Sequence, residues 1–104
     1  MNDRVVIFDS QFRDDLRWWA RSDATPRRRK AQGNAHQDKD RKICDRVLDL
    51  VEATIADPMK GIGKPEKLKY LPGSRWSRRI TQEHRLVYQI SNDKLIFLQC
   101  RYHY

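Results

Sequence analysis

The sequence predicts a single α+β domain, residues 1–104, in which two N-terminal helices pack on one face of a twisted, antiparallel-rich β-sheet. Three observations lead to this fold class. A short β-branched run comes first, two stretches with apolar residues at helical spacing follow, and three closely spaced strand patterns occupy the last third of the chain. A chain of 104 residues can bury one modest core. The predicted order is therefore strand, helix, helix, strand, strand, strand.

The N-terminal pattern predicts a strand followed directly by a helix. Residues 4–8, RVVIF, are apolar and β-branched, which is typical of a strand. Ser10 is a suitable N-cap, and Phe12, Leu16 and Trp19 follow at i, i+4 and i+7. These three side chains share one helix face, so we expect that face to pack on the sheet.

A polar stretch, residues 23–39, separates the two predicted helices. It contains a proline, a glycine, four consecutive cations at positions 27–30 and almost no apolar side chain. This composition predicts either a loop or a polar extension of a helix. Helical spacing of apolar residues returns between Ile43 and Ile55, which predicts a second helix over residues 40–56.

Glycine and proline punctuate the chain after Pro58, and the predicted strands follow. We predict them over residues 76–81, over residues 85–90, and from residue 95 to at least residue 102. The GIGK sequence at residues 61–64 lacks the spacing of a phosphate-binding P-loop. A nucleotide-binding function based on that sequence is therefore excluded.

The charge balance predicts a polyanionic partner. The chain has 22 Lys and Arg against 14 Asp and Glu, a formal net charge of +8, and such a surface attracts nucleic acid, ribosomes, an anionic membrane face or an acidic protein. No stretch approaches the ~20 apolar residues that cross a bilayer, and no signal peptide is visible, so we expect a cytoplasmic protein. Cys44 and Cys100 lack metal-ligand spacing. We expect free thiols and neither a metal nor a cofactor.

Strand alternation sorts the C-terminal side chains into two faces. The set expected to cover the helices is Ile96, Leu98, Cys100, Tyr102 and Tyr104, and the set expected to face outward is Leu95, Phe97, Gln99, Arg101 and His103. Arg85 and one of Arg78 and Arg79 are expected to join the outward set. Arginine binds phosphate bidentately and aromatic rings stack on bases, so the outward face is a candidate RNA-binding surface.

Two pairs of residues could supply the proton donor and acceptor that acid–base catalysis needs. One pair is Glu83 with His84, and the other is Glu66 with His103. Each combines a carboxylate with an imidazole, the side chain that titrates nearest neutral pH. Periodicity does not choose between the two pairs.

Two motifs in the chain resemble the YoeB/Txe toxins of bacterial toxin–antitoxin modules, within the RelE-like superfamily. They are GKPEKLKYLPGSRWSRRITQEHRLVYQI, at residues 63–90, and CRYHY, at residues 100–104. The resemblance is dense from Met59 onward and looser over the first strand and both helices. It implies a microbial-ribonuclease-like fold and a ribosome-dependent endoribonuclease that cleaves mRNA in the A site and so inhibits translation. It also implies a cognate antitoxin as partner, and it leaves a homodimer open.

The resemblance implies the site residues as well. Its catalytic positions fall on Glu66, Arg85, His103 and Tyr104, and the RNA-binding positions expected beside them are Lys64, Lys69, Arg78, Arg79 and Arg101. In metal-free RNA cleavage the 2′-hydroxyl attacks the adjacent phosphorus and the 5′-oxygen leaves. Glu66 is therefore expected to act as general base and His103 as general acid. Arg85 is expected to stabilise the charged phosphate.

The main alternative is a basic module that binds RNA or the ribosome without cleaving it, since such a module has no need of an acid–base pair. The resemblance also implies a short turn between the helices, whereas residues 23–39 form a longer connection. Tyr104 is expected to leave the regular alternation of the last strand, because that alternation places it on the face opposite His103.

Overall fold

The computed structural model describes the backbone of residues 4–24 and 34–102. Within these ranges the chain forms, in order, β1 (Val5–Phe8), α1 (Ser10–Ala24), α2 (Asn34–Ala56), β2 (Glu66–Lys67), β3 (Arg75–Arg79), β4 (Arg85–Ile90) and β5 (Lys94–Gln99). The strands make one sheet in the order β1-β5-β4-β3-β2, in which β1 runs parallel to β5 and the other neighbours are antiparallel. The predicted α+β class is confirmed.

The second helix is longer than predicted. It begins at Asn34, so residues 34–39 of the polar stretch form a polar extension of the helix, which is one of the two predicted alternatives. The four cations at positions 27–30 lie outside the described residues. Neither helix in the described part of the chain is both long and apolar enough to span a membrane.

Both helices pack their apolar stripes on one face of the sheet. The buried cluster contains Phe12 and Trp19 from α1, Val47, Leu50 and Val51 from α2, and Leu86, Tyr88, Leu95 and Phe97 from the sheet. The rings of Phe8, Phe12 and Phe97 lie 5.4–5.7 Å apart, centroid to centroid. Burial of each such side chain contributes about 1.5–3 kcal/mol. The expected packing of the Phe12 and Trp19 face on the sheet is confirmed.

The predicted facing of the last strand is wrong over its first residues. Leu95 and Phe97 are buried against the helices, whereas simple alternation placed Ile96 and Leu98 there. Ile96 and Leu98 are half-buried and belong to the opposite side. An apolar run such as this one fits either facing, so its residue types do not choose the face.

An irregularity in the pairing of β4 with β5 restores the predicted facing further along. Tyr88 is opposite Phe97, but the residue before Tyr88 is opposite Gln99, so Leu98 is an extra residue in β5. An extra residue in one strand is a β-bulge, and it reverses the alternation beyond it. Cys100 consequently enters the core, as predicted.

Arg78 is completely buried and organises the 57–63 loop, the segment of residues 57–63 that leads from α2 toward β2. Its guanidinium donates hydrogen bonds to the Tyr88 hydroxyl and to the carbonyls of Asp57, Lys60 and Ile62, at 3.2, 2.6, 2.9 and 2.8 Å. The Tyr88 hydroxyl in turn donates to the carbonyl of Pro58 at 2.5 Å. Carbonyls at a helix C-terminus lack intrahelical partners and carry partial negative charge. The buried cation therefore caps α2 and holds the loop together.

A glycine is required where the 57–63 loop meets the core. Gly63 has φ of +84°, and a Cβ there would lie 2.7 Å from Leu50 Cδ2 and 3.1 Å from Arg78 Cβ. The carbonyl of Gly63 accepts the Arg79 backbone N–H at 2.7 Å. This close approach fixes the start of the segment that carries Glu66.

Replacing Arg78 with methionine should destabilise the domain by about 3 kcal/mol, because the substitution leaves the Tyr88 hydroxyl and three carbonyls without their donor. Arg79 is the matched control: it is the next residue in the same strand, its side chain is exposed, and Arg79→Met should change stability by no more than about 0.5 kcal/mol. Urea unfolding followed by circular dichroism measures both. Equal losses in the two variants would contradict the structural role of Arg78.

The stability of the domain should fall at alkaline pH through Cys100. Burial, with a smaller effect of the Asp15 charge, raises the pKa of the Cys100 thiol well above its ordinary value. In the unfolded chain the thiol ionises near pH ~8.5, so above that pH the unfolded state binds fewer protons than the folded state. The free energy of unfolding then decreases as pH rises, by up to about 1.4 kcal/mol per pH unit.

Urea unfolding of the wild type and of Cys100→Ala between pH 7 and 10 isolates this effect, since both proteins retain Cys44 and every other titrating group. The wild type should lose stability more steeply above pH ~8.5. Parallel profiles for the two proteins would contradict the assignment to Cys100.

Candidate active site

Cross-strand pairing brings Glu66, Arg79 and Arg85 to the outer face, defined here as the face of the sheet away from the helices. Directly paired residues share a face. One row across the sheet is Glu66, Ser77, Val87 and Gln99, each opposite the next. Arg79 is opposite Arg85 in the adjacent row. The carboxylate and two of the arginines predicted from sequence therefore project from the same side of the sheet.

A further row of the outer face adds Arg75. Arg75 is opposite Gln89, and its Nε donates to the Gln89 side-chain oxygen at 3.2 Å. Neither α1 nor α2 covers this side of the sheet, because both helices pack on the other face. Neither helix therefore covers the outer face, where Arg75 lies on one side of the buried Ser77–Val87 row and the Arg79–Arg85 pair lies on the other.

Arg85 is held in place at its side chain and at its backbone. One terminal nitrogen of the guanidinium donates to the Thr81 carbonyl at 3.1 Å, and the backbone N–H donates to the Tyr102 carbonyl at 3.0 Å. The side chain is half-buried. A guanidinium fixed on one edge keeps its remaining donors free for an anion on the open face.

Glu66 and Arg85 flank the space above β3. Glu66 is exposed in β2, and Arg85 begins β4, two strands away. Adjacent strands lie ~4.8 Å apart, so the two backbones are separated by about 10 Å. A phosphodiester with its two flanking riboses can occupy a span of this size.

The C-terminal tail, residues 100–104, is described through Tyr102 and is anchored to α1 at its first residue. The backbone N–H of Cys100 donates to Asp15 Oδ2 at 3.0 Å, and its carbonyl accepts the Trp19 indole N–H at 2.9 Å. These bonds turn the chain away from β4, which explains why β5 ends at Gln99 and not at residue 102 as predicted.

The same tail returns to the start of β4 at Tyr102. The Tyr102 N–H donates to His84 Nδ1 at 2.6 Å, and the Tyr102 carbonyl accepts from Arg85. The edge of the Trp19 ring meets the His84 ring at 4.9 Å and 87°. The last described residue of the chain therefore lies directly against Arg85.

Arg101 takes part in an aromatic stack on the surface. Its guanidinium lies 3.6 Å from the centroid of the Trp18 ring and 4.6 Å from that of Tyr102, and it donates to the Tyr102 hydroxyl at 2.7 Å. Stacking between a guanidinium and aromatic rings is favourable at such distances. Arg101 thus holds Tyr102, and its expected contact with RNA stays a prediction.

The other predicted RNA-binding residues differ in how exposed their side chains are. Lys64, Lys69 and Arg79 are exposed, which is compatible with a role in binding. Arg78 is different, because its complete burial and its four internal hydrogen bonds contradict an RNA contact from the outward face. The expectation that one of the two adjacent arginines faces outward is met by Arg79.

The two catalytic candidate pairs now differ in geometry. In the first, Glu83 Oε1 lies 3.9 Å from His84 Nε2, but His84 Nδ1 is already occupied by the Tyr102 N–H. In the second, Glu66 stands on the outer face, while His103 lies outside the described residues, as does Tyr104. The proposed departure of Tyr104 from strand alternation stays a prediction, although the chain leaves the sheet before that residue.

Sequence reasoning missed the residues that anchor the tail. Asp15 is buried and accepts hydrogen bonds from the Gln11 side chain and from the Cys100 backbone, and no pattern in the sequence pointed to this role. Trp18 lies off the apolar stripe, and that was the one available signal of a contact elsewhere. No group of three or more His, Cys, Asp or Glu side chains that could hold a metal ion occurs among the residues described.

Comparisons with known proteins place this chain in a family. Residues 32–104 match the family described as YoeB-like toxin of bacterial type II toxin–antitoxin system. A toxin named YoeB from Mycobacterium bovis is 48% identical over 101 residues, which cover 97% of this chain and 99% of the relative.

Solved structures agree with the sequence relatives. A YoeB/ParE toxin from Agrobacterium tumefaciens superposes with a TM-score of 0.73 at 33% identity and covers 96% of this chain and 99% of its own. The heterotetrameric YoeB–YefM toxin–antitoxin complex from Staphylococcus aureus gives 0.66 at 29% identity, with coverage of 97% and 98%. The chain belongs to the family of YoeB-like toxins of bacterial type II toxin–antitoxin systems.

Proposed function

We propose that this toxin is a ribosome-dependent endoribonuclease that cuts mRNA in the A site and so stops translation. The observation that carries the proposal is the placement of Arg85, which lies between Glu66 on one side and the attached C-terminal tail on the other. In cleavage by the 2′-hydroxyl, the attacking and leaving oxygens lie on opposite sides of the phosphorus. A base and an acid on opposite sides of a phosphate-binding arginine suit that geometry.

Each residue has a role that its surroundings support. Glu66 is exposed on the outer face, where its carboxylate can accept the proton of the 2′-hydroxyl. Arg85 binds the phosphate and stabilises the charge that develops on it, a contribution of about 3–4 kcal/mol in comparable sites. His103 directly follows Tyr102, whose carbonyl accepts the Arg85 N–H, and its imidazole is assigned as proton donor for the 5′-oxygen. Tyr104 then orients the reacting nucleotide.

The attacking oxygen belongs to the RNA, so the reaction needs no cofactor to generate a nucleophile. Arg75, Arg79 and Lys64 surround the site and add positive charge for mRNA and ribosomal RNA. The ribosome as substrate carrier implies a cytoplasmic protein. By analogy with the YoeB–YefM complex, a cognate antitoxin binds and neutralises this chain, and by analogy with the Staphylococcus aureus YoeB dimer, the toxin is able to form a homodimer.

The products of cleavage provide the first test. Added to a ribosome complex with a defined A-site codon, the toxin should cut within or next to that codon. It should leave a 2′,3′-cyclic phosphate or 3′-phosphate upstream and a 5′-hydroxyl downstream. Primer extension maps the cut, and end-specific enzymatic labelling identifies both ends. A 5′-phosphate would rule out attack by the 2′-hydroxyl, and ribosome binding without any cut would favour the non-catalytic alternative.

Substitutions separate the base and the acid from the binding surface. Glu66→Gln and His103→Gln should each lower the single-turnover cleavage rate by ~10²–10⁴-fold, while ribosome affinity in a sedimentation assay stays near the wild-type value. Glu52→Gln, on the exposed face of α2, is the matched control and should cut normally. Wild-type rates in either active-site variant would remove that residue from the mechanism.

A further inference from the structure

Tyr102 is held through both of its backbone polar groups. Its N–H donates to His84 Nδ1 at 2.6 Å, and its carbonyl accepts the Arg85 N–H at 3.0 Å. The residue has φ of +65°, a left-handed conformation that costs a residue with a bulky side chain free energy and persists only where surrounding contacts impose it. The two hydrogen bonds to residues 84 and 85 supply such contacts.

The ring of His84 is itself fixed from several directions. Its side chain is only 14% exposed, and Glu83 Oε1 lies 3.9 Å from its Nε2. The Trp19 ring meets it edge-on at 4.9 Å, and the Tyr102 ring lies 5.5 Å away. A backbone N–H can only donate, so Nδ1 must carry a lone pair, and the ring proton belongs on Nε2, which faces Glu83.

We propose that His84 is a positioning residue for the active site: its unprotonated Nδ1 holds the Tyr102 N–H and thereby sets the C-terminal tail, which continues to His103, against Arg85. The consequence for RNA cleavage rests on the proposed function above. His84 does not act as the proton carrier, because the nitrogen that would serve as base is already engaged with the backbone. His84 affects the reaction by holding the tail in position.

Proton uptake is the natural way to break this contact. Protonation of Nδ1 replaces the lone pair with a second donor, which repels the Tyr102 N–H. Among the described residues, charged side chains on the elements that pack near the ring include Glu83 in the same turn, Arg85 on β4, Arg101 in the tail, and Asp15 on α1, which binds the Cys100 N–H. A variant that removes the imidazole and keeps all of these charges therefore isolates the contribution of His84.

Asparagine provides that variant. The Asn Oδ1 atom occupies about the position of imidazole Nδ1 and accepts a hydrogen bond at every pH, whereas alanine offers no acceptor. Amide hydrogen exchange of the full-length toxin, followed by NMR, should give a Tyr102 protection factor at least ~10-fold lower in His84→Ala than in wild type at pH 7.5. His84→Asn should recover most of that protection.

Amide exchange of the wild type measured at several pH values tests the same hydrogen bond without a substitution. Lowering the pH far enough to protonate His84 should remove the protection of the wild-type Tyr102 amide, while His84→Asn should keep it. Since the protection factor is a ratio to the intrinsic exchange rate, the ordinary pH dependence of exchange is removed. The proposal is overturned if the Tyr102 amide is equally protected in the wild type at pH 7.5, in the acidified wild type and in His84→Ala.

Cleavage on ribosome complexes then tests the functional consequence. His84→Ala should cut ~10- to 100-fold more slowly at unchanged ribosome affinity, and His84→Asn should restore most of the rate. If the wild type does not cut, the proposed function fails, and the exchange data still decide whether His84 holds the tail. If His84→Ala loses Tyr102 protection but cuts at the wild-type rate, the positioning role in catalysis is wrong and the anchor is only structural.

Discussion

The guanidinium of Arg78 carries a positive charge in the interior of the domain, and the 57–63 loop is arranged around it. Burying a charge is costly unless polar groups replace the lost water, and here four oxygens do so. Three of them are loop carbonyls, so the loop can take only the path that presents them to Arg78. Gly63 lets that path pass against Leu50. The position of Glu66, three residues further on, depends on this internal contact.

On the other side of Arg85, hydrogen bonds from α1 and from the start of β4 hold the tail in the same way. Asp15 and Trp19 fix both backbone groups of Cys100 from α1, and His84 and Arg85 fix both backbone groups of Tyr102 from the sheet. Glu66 and Arg85 lie at strand ends, and the loop before Glu66 and the tail beside Arg85 are held by hydrogen bonds to helix and sheet. Hydrogen bonds to rigid helices and strands therefore fix the positions of the loop and the tail beside the site.

Sequence patterns predicted the elements more reliably than the facing of side chains. The Arg85–Ile90 strand has the predicted bounds, and the Phe12–Trp19 stripe packs as expected, because alternation and helical spacing are local properties. The bulge at Leu98 and the early end of β5 depend on partners far away in the chain, on β4 and at Asp15. Arg78 and Arg79 are adjacent and chemically identical, and only the pairing of β3 decides which one is buried. Family motifs supplied the roles of Glu66 and His103, which local patterns left open.

The distinction between Arg78 and Arg79 bears on how a net charge of +8 should be interpreted. A polyanion responds to charge that it can approach, and Arg78 is withdrawn from solvent while Arg101 is stacked between rings. The arginines left on the outer face, Arg75, Arg79 and Arg85, lie in the rows on either side of the row that contains Glu66. The charge near the site is therefore set by strand register, because the pairing of β3 with β4 buries Arg78 in the loop scaffold and leaves Arg79 on the outer face.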